Sequence, residues 1–322
     1  MSLSSCPNAA EAFQVAAFYA FTPLAERQIA PLLAELPCVA GRHQVKGTVL
    51  LAEEGVNGTI CGPADGVQDL LAQLQCGIEL SLVVKISWSS RQAFRRFKAR
   101  RKQEIVSMGV PGIDPLETVG IYIDPAEWNE LIDDPDTLVI DTRNDYEVAI
   151  GQFEGAINPC TETFRSFPDW VEMQLKPMVT KCSPQRIAMY CTGGIRCEKA
   201  TALLLQEGFT DVHHLNGGIL RYLEEMPEAD SRWRGECFVF DQRVSVNHQL
   251  QPGVHKLCHA CGLPLTPEDV SLPTYRPGIQ CRHCVERFTD QDRQRFAERQ
   301  RQLQAQRSRE PQAAAESLSP LA

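Results

Sequence analysis

Residues 186–200 read Arg186-Ile187-Ala188-Met189-Tyr190-Cys191-Thr192-Gly193-Gly194-Ile195-Arg196-Cys197-Glu198-Lys199-Ala200. Arg186–Tyr190 is a short apolar run of strand type that ends at Cys191. From Cys197 to Glu207 the apolar residues recur at helical spacing, and Gly208 supplies a C-terminal cap. A helix that starts just after a strand ends points its first, unpartnered N–H groups into the intervening loop. Gly193 and Gly194 let that loop curl until several amides converge on one point. A sulfur at the focus has its anion stabilised by the amides, the helix dipole and Arg196, so its pKa is expected below the ordinary value of about 8.5. Cys191 is therefore expected to be a nucleophilic thiolate, with Thr192, Gly193, Gly194, Ile195 and Arg196 as its anion cradle. A plain buried cysteine at a strand end is the bland alternative. The glycine pair, the arginine and the helix entry together outweigh it.

Working outward, Leu138–Ile140 is another short apolar strand, ending in Asp141, and Asp211–Leu215 is a third. Such strands alternating with helices imply a parallel sheet with crossover connections, a doubly wound α/β domain. The preceding hundred residues have a different rhythm. Gln14–Tyr19, Gly47–Ala52 and Ser81–Ile86 are strand-like, Pro23–Leu36 and Gly66–Leu74 have helical spacing, and Glu54–Thr59 reads as a turn leading to a strand at Ile60 and Cys61. The order βαββαβ is compatible with a ferredoxin-like α+β sandwich. After Gly235, Pro, Cys and His become frequent, as in a small metal-stabilised module. The expected divisions are a flexible N-terminus at 1–11, the ferredoxin-like domain at 12–110, a linker at 111–123, the doubly wound domain at 124–234, the Cys-rich module at 235–288, and an Arg/Gln-rich tail at 289–322 that begins helical and ends disordered.

The strand–Cys191-Thr192-Gly193-Gly194-Ile195-Arg196–helix unit resembles the active-site loop of rhodaneses, whose cysteine carries a persulfide. Asp141-Thr142-Arg143 with Tyr146-Glu147, and Gly151–Asn158, resemble two further rhodanese signatures, with Gln152 where many members have His. Related phosphatases have a longer loop between Cys and Arg. Here only Thr192–Ile195 intervene, a ring that suits a terminal sulfur better than a phosphoryl group. Asp141 and Arg143 are expected to pair and hold the sheet edge to the loop. Cys197 reads as a packed helix residue, or alternatively as a thiol that resolves a persulfide on Cys191.

The likeness extends further. Glu54–Thr59, Phe94–Gly109, Tyr190–Ala200, Leu215–Ile219 and Cys237–Asp241 resemble segments of bacterial tRNA uridine hydroxylases, over roughly residues 12–288. The resemblance implies oxygen-dependent conversion of the wobble uridine, in the anticodon region of tRNA, to 5-hydroxyuridine. Molecular oxygen would be the co-substrate and Cys191 the essential residue.

Charge and cysteine usage fit that picture unevenly. A net charge of −9 argues against general affinity for nucleic acid. Yet Arg91, Arg95, Arg96, Lys98, Arg100, Arg101 and Lys102 fall in one stretch without an acid, a pattern that suits RNA phosphates. Phe94 and Phe97 are interleaved with these cations. Either can stack on bases, though Phe97 reads better as core. No secretory signal or membrane-length apolar run is evident, which places the chain in the cytoplasm and leaves its thirteen cysteines reduced. Cys258-x2-Cys261 and Cys281-x2-Cys284 then form two knuckles suited to structural zinc, with His259 and His283 as alternative ligands. There is no iron-binding facial triad and no Gly-rich dinucleotide fingerprint, so no nucleotide cofactor is expected. The leading reading is a tRNA-modifying oxidoreductase. The alternatives are a rhodanese-type sulfurtransferase acting on a small thiol, and a non-catalytic RNA-binding adaptor.

Overall fold

Strand alternation in the first hundred residues builds a sheet with one covered and one open face. The computed structural model describes residues 13–316; the expected flexible start at 1–11 and the last residues of the tail lie outside the described residues. Strands β1 (Phe13–Phe21), β2 (Lys46–Ala52), β3 (Gly55–Gly62), β4 (Val84–Ser89) and β5 (Phe97–Arg101) form one sheet in the order β4-β1-β3-β2-β5. Helices α1 (Glu26–Arg42) and α2 (Ala64–Ile78) cover one face. Ala16, Phe18, Val49, Leu51, Val56 and Ile60 point at Ile29, Leu32, Leu36, Leu70 and Leu74 of those helices. Because side chains alternate across a strand, Ala17, Tyr19, Thr48, Leu50, Asn57 and Thr59 are left on the helix-free face. That face becomes one wall of the site.

Two local expectations are corrected here. The segment Glu54–Thr59 is not a turn: Ala52 pairs with Gly55, so only Glu53 and Glu54 reverse the chain, and Gly55–Gly62 is strand throughout. Its glycines read as breakers, but they serve close approach. A Cβ on Gly55 would lie 2.0 Å from the Ala20 carbonyl, and one on Gly58 would lie 2.7 Å from the Phe18 ring. The second correction is β5, which runs parallel to β2 and adds a fifth strand to the βαββαβ core. Its cations hid the alternation: Phe97 and Ala99 pack on the core, with Lys98 and Arg100 on the other face.

The following layer is doubly wound, as expected. Strands β6 (Ile121–Ile123), β7 (Thr137–Asp141), β9 (Arg186–Tyr190) and β10 (Val212–Leu215) lie in the order β6-β10-β9-β7, all parallel. Between them come α3 (Pro125–Asp133), α4 (Asp145–Val148), the small strand β8 (Gly151–Phe153), α5 (Phe167–Trp170), α6 (Lys176–Cys182) and α7 (Ile195–Gln206), and α8 (Gly218–Glu225) follows β10. One face packs on Phe167, Leu175 and Leu204, and the other on Trp128, Phe153 and Tyr222. Ile121–Ile123, read as linker, is instead the edge strand of this sheet. Its residues are largely exposed, so no buried apolar run marked it.

The Cys-rich module also begins later than its composition suggests. Strand β11 (Trp233–Gly235) pairs with β8, and β12 (Cys237–Phe238) pairs with β13 (Ser245–Val246). Cys237, Val239 and Val246 share a core with Trp128 and Phe153, so the stretch 235–253 belongs with the doubly wound layer. The chain divides into two compact units, the first ending at Gly253 and the second starting at Val254. The second unit holds β14 (Lys256–Leu257), β15 (Pro264–Leu265), α9 (Pro267–Ser271) and the long helix α10 (Asp290–Glu316).

Candidate active site

Cys191 follows β9 directly and lies beneath the first turn of α7. Gly194 adopts φ +107°, and its N–H donates to Cys191 Sγ at 3.1 Å. Burial alone would push the Cys191 thiol up. The hydrogen bond from Cys197, the Arg196 charge and the N–H groups of Cys197 and Gly194 outweigh it, holding Cys191 well below the ordinary thiol value. Cys197 is wholly buried and moves the other way, raised by burial and by its bond to the Cys191 sulfur. The opposed shifts make Cys191 the more acidic of the two thiols. The N-terminus of α8 braces the loop, with Ile219 N–H donating to the Cys191 carbonyl at 2.9 Å and Leu220 N–H to Thr192 O at 3.1 Å. Gly218, at φ +67°, must be glycine, since a Cβ there would sit 2.5 Å from the Cys191 carbonyl.

Arg196 has a second task beside the one expected of it. Its guanidinium reaches Glu147 in a bidentate pair at 2.6 and 2.8 Å, and donates to Thr192 Oγ1 at 3.2 Å. It therefore acts on the sulfur as a nearby charge, while its N–H groups fix the loop to α4. Burial would raise the Glu147 carboxyl, but Arg196 holds it below the usual range. Glu147 carries this arrangement and is fully buried; the sequence marked it only as part of a signature. Beside it, Arg143 and Asp141 form the expected buried pair, with Arg143 also donating to the carbonyls of Glu147 at 3.2 Å and Gly151 at 2.6 Å.

The open face of the N-terminal sheet closes over this loop. Between them lies a cavity of about 860 Å³, walled by Tyr19, Asn57, Lys85 and Phe94 on one side and Cys191, Glu198 and Phe240 on the other. Lys85 Nζ donates to the carbonyls of both Gly193 and Gly217. Burial draws the Lys85 ammonium down to about 8, partly opposed by the charge on Cys191. Tyr19 Oη donates to Glu198 Oε1 at 2.6 Å. Lower down, Lys199 Nζ binds Glu54 Oε2 at 2.8 Å, Glu104 Oε2 at 2.7 Å and Val106 O at 3.2 Å. Asn57 Nδ2 donates to Ile105 O at 2.9 Å, and Glu54 accepts from Ile105 N–H at 2.6 Å. The segments around Glu54 and Glu104 thus tie the N-terminal sheet to α7. Lys85 and Tyr19 carried no signal in sequence, because their partners lie more than a hundred residues away.

The basic stretch divides into parts. In register, Lys98 lies beside Thr48 and Arg100 beside Leu50, so both extend the face that walls the cavity. Arg91, Arg95, Arg96 and Lys102 are exposed around it. The Lys98 ammonium is held below its ordinary value, first by the Arg96 charge, as crowded cations require. Arg101 instead pairs with Glu26 at 2.5 Å and Glu53 at 3.5 Å. Phe97 packs on the helix-covered core, as the sequence favoured, whereas Phe94 packs beside Val15 and Cys61 and lines the cavity.

In the second unit, Cys258, Cys261, Cys281 and Cys284 bring four sulfurs within 4.8 Å of one another. Cys258 and Cys284 are 4.0 Å apart, and Cys261–Cys281 and Cys281–Cys284 are each 3.7 Å. A tetrahedral zinc with Zn–S of about 2.3 Å requires S–S separations of about 3.8 Å, so the donor set fits such an ion. His283 faces Asp269 at 3.9 Å, leaving an all-sulfur site that could hold a metal.

The fold and this loop define a rhodanese-type protein. Residues 124–225 match the rhodanese-like domain, and residues 13–105 match the UPF0176 acylphosphatase like domain. The tRNA uridine(34) hydroxylase of Prochlorococcus marinus (strain MIT 9313) is 65% identical over 92% of this chain and 96% of its own. That of Parasynechococcus marenigrum (strain WH8102) is 62% identical over 87% of this chain and 89% of its own. The chain belongs to the tRNA uridine(34) hydroxylase family. Among the described residues, no helix is long and apolar enough to cross a membrane.

Proposed function

We propose that this protein hydroxylates uridine 34, the wobble position of the tRNA anticodon, to 5-hydroxyuridine, with molecular oxygen as oxidant and Cys191 as the essential sulfur. The observation that carries this reading is the Cys191 sulfur, held by the Gly194 N–H, on the wall of a cavity large enough for a nucleobase. The relatives' shared name supplies the reaction. Lys98 and Arg100, on the same sheet face as the cavity wall, with Arg91, Arg95, Arg96 and Lys102 around them, give the phosphates of an anticodon loop a place to lie. Arg101, held by two glutamates, contributes less. Thr192, Gly193, Gly194 and Ile195 form the cradle, Arg196 its charge, and a persulfide on Cys191 fits the short ring. Cys258, Cys261, Cys281 and Cys284 hold one structural zinc, which leaves no open position for chemistry.

The test is mass spectrometry of tRNA from cells lacking the protein and complemented with wild type or Cys191→Ser. Wild type should restore 5-hydroxyuridine, and the serine variant should fall short on the order of a thousandfold or more, the usual cost of removing a nucleophile. Equal restoration by both versions would remove Cys191 from the reaction. Restoration by neither would favour the plain sulfurtransferase, which needs the same loop but has no use for a basic sheet face.

A further inference from the structure

Glu198 is the one carboxylate of α7 that faces the cavity, and nothing in the anion cradle uses it. It sits in the first turn of α7, the helix that follows the Cys191 loop. Its Oε1 accepts from Tyr19 at 2.6 Å, across the junction with the N-terminal sheet, and Tyr122 of the edge strand lines the same cavity. A carboxylate is seldom kept half-buried beside a thiolate, since like charges oppose each other. Burial and the Cys191 charge together raise the Glu198 carboxyl above its ordinary value despite Tyr19. A weaker acid is a stronger conjugate base, the tuning expected of a group that takes protons near neutrality. Tyr19 is itself raised, by burial first, and so stays protonated as the donor.

We propose that Glu198 is the catalytic base that removes the C5 proton of the target uracil, and that Tyr19 positions its carboxylate. The assignment rests on the hydroxylase reading above. Hydroxylation replaces a C5–H bond by C5–O. A thiol-class reductant gives two electrons and two protons to molecular oxygen and becomes a disulfide. One oxygen atom enters at C5 as a hydroxyl equivalent, and the other leaves as water. The C5–H bond then breaks, its electron pair restores the C5–C6 double bond, and the proton passes to Glu198 and on to solvent. A base in the cavity that Phe94 and Phe240 also line is what this last transfer needs, and Glu198 supplies it. Lys85 cannot take this part, because its ammonium is engaged by the carbonyls of Gly193 and Gly217.

The test uses the full-length protein and tRNA carrying uridine deuterated at C5. Wild type is expected to turn over with little isotope effect. Glu198→Gln should slow hydroxylation by about 10²-fold or more, with a primary deuterium effect of about twofold or larger as proton removal becomes limiting. Glu198→Asp should restore part of the rate, and Cys191 should still titrate as a thiolate in both variants. Tyr19→Phe keeps the carboxylate but removes a bond that lowers its pKa, so the acid limb of its kcat profile should move to higher pH. Undiminished turnover by Glu198→Gln would overturn the assignment. So would a slow Glu198→Gln enzyme without an isotope effect that Asp fails to rescue, because that pattern marks a structural carboxylate. Absence of product from wild type would instead overturn the hydroxylase reading on which the assignment stands.

Discussion

Cys191 and the four-cysteine cluster use the same device to opposite ends. In both places a turn aims a backbone N–H at a sulfur: Gly194 at Cys191, 3.1 Å away, and Cys281 at Cys284, 3.3 Å away. The difference lies on the sulfur's other side. Beyond Cys191 there is a cavity, a buried guanidinium and one protonated thiol neighbour. Beyond Cys284 there are three more sulfurs. A lone anion facing space has its reactivity left over for a substrate. Four anions facing each other are stable only with a cation among them. What completes the sulfur's surroundings therefore separates nucleophile from ligand.

The comparison can be broken most forcefully at the metal. Zinc should co-purify at about one equivalent. Its removal, or Cys281→Ser, should abolish the folded state of the unit beginning at Val254, because structural zinc binding is worth about 10–16 kcal/mol in small domains. Hydrogen exchange would show that loss, while Cys191 should alkylate as before. Loss of both together would mean the two sulfur sites are not independent.

A smaller effect is expected at Glu147, whose carboxylate pairs with Arg196 in a site where both are buried. Glu147→Gln leaves the guanidinium unpaired, at a cost of about 3–5 kcal/mol. Urea denaturation checks this, and an unchanged midpoint would show that the pair does not hold the loop. Changing Arg95, Arg96 and Arg100 together to Gln should act more mildly. The salt dependence of tRNA binding should fall by about one unit of slope per lost phosphate contact, with titration of Cys191 unaffected. An unchanged slope would move the RNA to another face.

The two sulfur sites were legible in sequence for a shared reason: each is local. The loop from Cys191 to Arg196 is one strand end and one helix start, and each Cys-x2-Cys pair is four residues. What sequence could not show was the wall opposite Cys191. Tyr19 and Lys85 meet the loop only because strand alternation puts them on the helix-free face and a second sheet is laid against it. The pairing of Arg196 with Glu147 was hidden too, because no local pattern joins two residues that lie 49 apart. Strand β5 was hidden by its cations and β6 by its exposure, both cases where burial, the signal that periodicity reports, was weak. The boundary at Gly253 was hidden because periodicity already weakens from about Gly235, whereas Cys237 packs with Trp128 and Phe153.

Whether the Cys191 sulfur is ionised in the folded protein decides the rest. A depressed folded value means that the thiolate adds stability above the unfolded thiol's pKa of about 8.5, and loses that contribution as pH falls through the folded value. The direct measurement is the ultraviolet thiolate absorbance of the zinc-loaded wild type minus that of Cys191→Ser, followed as pH is raised from the acid side. The predicted difference signal is complete well before pH reaches about 8.5. A signal that rises only at or above that value would contradict the account.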